Sequence, residues 1–103
     1  MGILCSKPKG EIILIVKNII PQGYVEYEMS HKELKAKLVA GDWCDCCNDY
    51  MRPEDPAHLI PVLAMRTYCQ DCFDKWKKNA IFYEEDLLYE QDLVRKLDKI
   101  FDL

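Results

Sequence analysis

Two C-x-x-C pairs, Cys44/Cys47 and Cys69/Cys72, stand 21 residues apart in a chain of 103. No other feature constrains the fold as much. A two-residue gap lets the backbone turn a knuckle so that both sulfurs face one point, and two knuckles complete a tetrahedron about 2.3 Å around a metal ion. A chain this short buries a thin core and gains from such a staple. Disulfides are the competing use of the thiols. No basic segment followed by a long apolar stretch opens the sequence, so a reducing, cytoplasmic setting with thiols free for metal is expected. Thiol redox chemistry calls for a single C-x-x-C at a strand-to-helix turn, not two matched pairs. The expected ligands are Cys44, Cys47, Cys69 and Cys72. The string Cys44-Asp45-Cys46-Cys47 also offers Cys46 in place of Cys44, but the spacing favours Cys44 and leaves Cys46 as a small, partly buried apolar residue. Cys5 is too isolated to assign.

Four thiolates suit zinc or iron. Iron carriers of the rubredoxin type resemble this pattern through their two knuckles, but theirs read C-x-x-C-G. Here the following residues are Asn48 and Phe73. Asn tolerates the left-handed conformation that glycine supplies, and Phe does not. Phe73 therefore predicts that the second pair opens a helix, whose N-terminal N–H groups favour thiolates. Residues 41–82 in this way resemble treble-clef zinc modules at the level of architecture. The resemblance implies a first knuckle, a loop, a short hairpin and a helix whose first turn holds the remaining ligands, with structural Zn2+ as the cofactor. Arg52-Pro53-Glu54-Asp55-Pro56 reads as a turn-rich loop, and His58 to Pro61 and Val62 to Tyr68 as hairpin strands with Pro61 at an edge or turn. Trp43, Tyr50, Tyr68, Phe73 and Trp76 are expected to form a minor core beside the metal.

Catalysis is not expected. Four cysteines close the coordination shell, whereas a catalytic zinc keeps one position open. Nuclease-type modules need histidines beside the metal, and His58 stands alone between the pairs. RING-type ligases need eight ligands, and deaminases need H-x-E before P-C-x-x-C. No phosphate-binding glycine loop or nucleophile elbow occurs, and Glu84-Glu85-Asp86 reads as a solvated helix face. Fourteen basic residues against eighteen acidic ones leave a net charge of −4, so nucleic acid is not the expected partner. The expected role is a small intracellular protein-interaction or regulatory module. The alternatives are a nucleic-acid-binding module using Lys32, Lys35, Lys37, Lys75, Lys77 and Lys78, and an iron electron carrier. No apolar run approaches the roughly 20 residues of a membrane span. Met1-Gly2-Ile3-Leu4-Cys5-Ser6 matches an acylation pattern short enough to arise by chance.

The fold class expected is α+β in one small domain: a β-hairpin and short helix over 1–40, the zinc module over 41–82, and a long amphipathic helix over 83–103. Glu11 to Ile20 is apolar and β-branched, Pro21-Gln22-Gly23 is a turn, and Tyr24 to Met29 is the returning strand. Ser30-His31-Lys32-Glu33 is a capping box that starts a helix stopping at Gly41, with His31 on its exposed first turn. Beyond Pro61 there is no Pro or Gly. Phe73, Trp76, Ala80, Tyr83, Leu87, Val94, Leu97 and Phe101 form a seam in steps of three and four, broken where Glu90 takes an apolar slot. Either the helix kinks near Asn79 and folds back on the hairpin, or it projects to meet a protein partner or a second copy. The seam's apolar surface favours the projecting helix.

Overall fold

A computed structural model of the chain describes residues 14–103. Cys5, the acylation-like motif and the start of the first predicted strand lie outside the described residues. The fold is α+β. Strand β1 (Val16–Ile19) and β2 (Val25–Ser30) form the N-terminal hairpin, and helix α1 (His31–Lys37) follows at once. The second hairpin pairs β3 (Pro56–Ile60) with β4 (Arg66–Tyr68). Helix α2 (Gln70–Asn79) and helix α3 (Leu87–Ile100) complete the chain. The four strands make one antiparallel sheet in the order β1-β2-β3-β4.

The capping box starts α1 through its serine: the Glu33 N–H donates to Ser30 Oγ at 3.1 Å. The N–H groups of His31 and Lys32 donate to the carbonyls of Asp55 and Pro53, which ties the turn-rich loop to the helix start. The helix ends at Lys37, four residues before Gly41, because Leu38 turns extended. Between β3 and β4, Pro61 opens a single 3-10 turn, and Ala64 and Met65 both adopt positive φ to reverse the chain. Pro61 thus sits in the turn, as its missing N–H requires.

The C-terminal seam is not one helix. α2 stops at Asn79, and residues 80–83 leave the helix, with Ala80 and Tyr83 extended, before a 3-10 turn at Glu84–Asp86. Tyr24 fixes this break: its hydroxyl accepts from the Tyr83 N–H at 2.9 Å and donates to Asp86 Oδ2 at 2.7 Å. α3 then packs back on the sheet. Leu97 and Phe101 are buried, with Phe101 against the Tyr27 ring at 5.2 Å between centroids. Glu90 explains its place in an apolar stripe, since its carboxylate accepts the Val25 N–H at 2.7 Å while almost fully buried. The lower seam is therefore core, and the expectation of a projecting rod is corrected. α3 leaves other apolar side chains at the surface, among them Leu88 and Tyr89.

Candidate metal centre

The first knuckle is held by backbone bonds. Cys44 N–H donates to the Asp49 carbonyl, Asn48 N–H to the Cys44 carbonyl and Met51 N–H to the Asp42 carbonyl, each at 2.9 Å. Asn48 adopts φ 68° directly after Cys47, the conformation its side chain tolerates best after glycine. Asp45, at the tip, pairs with Thr67 of β4: its N–H donates to the Thr67 carbonyl at 2.9 Å, and its carboxylate accepts the Thr67 N–H at 2.8 Å. The knuckle thereby covers the free edge of the sheet. The second pair sits where β4 passes into α2, with Cys69 as N-cap and Cys72 in the first turn. The order knuckle, hairpin, helix is the one the sequence implies.

The structure brings Cys44, Cys47, Cys69 and Cys72 together with all four sulfurs within 4.8 Å of one another. The Cys47 and Cys69 sulfurs are 3.9 Å apart, close to the about 3.8 Å edge of a tetrahedron with 2.3 Å metal–sulfur bonds. All four are free thiols. This donor set can hold a metal ion. Cys44 and Cys72 are the buried members, and the N–H groups of Cys46 and Cys69 both donate to the Cys44 sulfur at 3.3 Å. Burial pushes the Cys44 thiol up, but the backbone N–H groups of Cys47, Cys69 and Cys46 outweigh it and bring it to about 7. The Cys72 thiol ends far up, because there burial meets no such donors and the neighbouring thiols add to it. A cation at the centre reverses that cost by ionising all four.

Three expectations near the site are corrected. Cys46, outside the four-sulfur cluster, is exposed and not partly buried; its backbone N–H serves the site. Trp43 and Tyr50 are surface residues, 53% and 60% exposed, and meet edge-on at 6.2 Å. Only Tyr68 and Phe73 of the five aromatics are buried, with Trp76 packed beside them. His31 is buried: its Nε2 meets the Gly41 carbonyl at 2.8 Å and its Nδ1 the Met51 carbonyl at 3.0 Å. It clasps both ends of the first knuckle to α1. Both carbonyls come from sequence-distant loop positions that no local pattern marks, so the sequence carried no signal for this role. His58 is likewise buried and stacks on Phe73 at 4.0 Å and 5°.

No helix among the described residues is long and apolar enough to cross a membrane. Comparison with protein families, with curated proteins and with solved structures gives no match, so the cysteine cluster has to be understood from its own geometry.

Proposed function

We propose that the chain is a small zinc-stabilised protein-interaction module, a cytoplasmic regulator with a structural metal and no catalytic chemistry of its own. The observation that carries this reading is the set of four free cysteine sulfurs held within 4.8 Å by two knuckles. With four thiolate ligands, zinc has no position left for substrate or water. The interaction half of the reading is supported by the stretch from Ile81 to Tyr89. Ile81 and Leu88 are 64% and 79% exposed, and Phe82, Tyr83, Leu87 and Tyr89 are exposed beside them. Covering each such side chain is worth up to about 1.5–3 kcal/mol, more than any surface ion pair supplies. A protein partner or a second copy meeting the start of α3 gains that energy.

Elemental analysis of the purified protein should find about one zinc per chain, in a colourless sample. Cys69→Ser should release the metal and unfold the module, while Cys46→Ser should leave both intact. A folded, metal-free protein overturns the zinc reading, and a coloured, iron-containing one replaces it with electron transfer. Leu88→Asp should abolish self-association or partner capture with zinc retained. Unchanged association in that variant would move the interaction surface elsewhere.

A further inference from the structure

The sheet face under α2 carries polar side chains where a helix-covered face is ordinarily apolar. Glu26 and Glu28 stand two residues apart on β2 and so share a side. The register sets Asn18 opposite Glu26 and His58 opposite Glu28. Glu26 and His58 are each 1% exposed, and Glu28 is half-buried. A carboxylate oxygen of each glutamate and a ring nitrogen of His58 lie within 4.8 Å of one another. All three line a cavity of about 340 Å³ that Phe73 and Lys77 of α2 also border.

Hydrogen-bond direction constrains His58. Gln70 Nε2 donates to Asp74 Oδ1 at 3.0 Å, which turns Gln70 Oε1 towards His58 Nε2 at 2.8 Å. An amide oxygen only accepts, so Nε2 carries a hydrogen. Nδ1 faces Glu26 Oε1 at 3.0 Å. A bare ring lone pair and a carboxylate repel at that distance unless a cation stands between them. A proton there makes His58 and Glu26 an ion pair, with the other Glu26 oxygen accepting from Asn18 Nδ2 at 2.6 Å, but among the described residues the Glu28 carboxylate has no hydrogen-bond or ion-pair partner. A divalent ion engages both carboxylates and the ring at once. The 3.0 Å separation also equals the edge between neighbouring ligands placed about 2.1 Å from an octahedral ion. A metal-binding histidine ordinarily donates its outer N–H to a carbonyl or carboxylate oxygen, as His58 does to Gln70. Lys77, with its ammonium 5.2 Å over the Phe73 ring, opposes the ion's charge and moderates its affinity.

We propose that Glu26, Glu28 and His58 form a second metal site, separate from the cysteines, that takes a divalent first-row ion preferring oxygen and imidazole donors, such as Mn2+. The purified chain, with its cysteine-bound metal in place, is titrated with Mn2+ and followed by paramagnetic broadening of its NMR spectrum. Saturable binding of one ion per chain is expected, with broadening centred on Glu26, His58 and Gln70. Glu28→Gln should weaken binding at least about tenfold without changing the circular dichroism or the content of cysteine-bound metal. The proposal is overturned if no saturable broadening reaches His58, or if Glu28→Gln binds Mn2+ as tightly as the parent. A His58 ring that keeps both N–H signals throughout the titration overturns it as well and leaves a proton as the bridge.

Discussion

His31 and Glu90 are buried polar residues whose side chains bond backbone groups far away in sequence. Each gives up hydration and is stabilised only by those bonds. Removing the imidazole leaves whichever of the Gly41 and Met51 carbonyls accepts its N–H without that partner and frees both ends of the first knuckle. His31→Ala should therefore lower unfolding free energy by about 2–3 kcal/mol, measured by urea denaturation, and should weaken metal retention. For Glu90, burial pushes the carboxyl pKa up, only partly offset by the Val25 N–H, and Asp86 adds to the rise. The folded state then binds a proton more readily than the unfolded one. The charged form thus costs stability at neutral pH, and that cost is relieved as pH falls towards the unfolded carboxyl value. Glu90→Gln, which can still accept the Val25 N–H, should be more stable than the parent at pH 7 and indistinguishable near pH 4. Thermal unfolding at the two pH values checks the sign. Cys44 runs opposite: its thiol is half-ionised near pH 7 through backbone donors, so metal capture should weaken on acidification below that value and release protons on binding.

At the scale of elements, the local signals were legible. The Pro21-Gln22-Gly23 turn and the Ser30 cap place the returning strand and the start of α1 within a residue of where they stand, while the first strand is shorter than its β-branched run and α1 ends four residues before Gly41. The C-x-x-C pairs name the four sulfurs that converge, because knuckle geometry is set within each pair. Periodicity leaves the break after Asn79 as one of two readings and does not decide between them. The apolar steps continue through it, and the interruption comes from Tyr24, more than fifty residues earlier, whose hydroxyl takes the Tyr83 N–H. The same limit applies to α3: a stripe shows which face is apolar, not whether the cover is its own sheet or another molecule. Leu97, fully buried against that sheet, makes the distinction measurable. Leu97→Ala should cost about 2–5 kcal/mol, and Leu97→Asp should unfold the chain, whereas Leu88→Asp should leave its melting temperature within a few degrees of the parent.

Over the whole molecule, the sheet is the middle of three layers. α3 covers one face of the sheet, α2 the other, and the first knuckle closes the β4 side. The metal's influence therefore extends beyond its four ligands, since Cys69 and Cys72 fix the start of α2 and Asp45 rides on the knuckle of Cys44 and Cys47. Among these contacts, the pairing of Asp45 with Thr67 governs how the protein fails. Without metal the knuckle loosens, and the outer edge of β4 presents the Thr67 N–H and carbonyl unpaired. Such an edge recruits strands from other chains. Chelated protein should consequently lose solubility in a concentration-dependent way, with growing β-structure, well before it becomes a random coil. Light scattering during chelator titration follows this directly. Asp45→Ala, which removes the side-chain half of the seal, should lower the concentration at which aggregation begins even with metal bound.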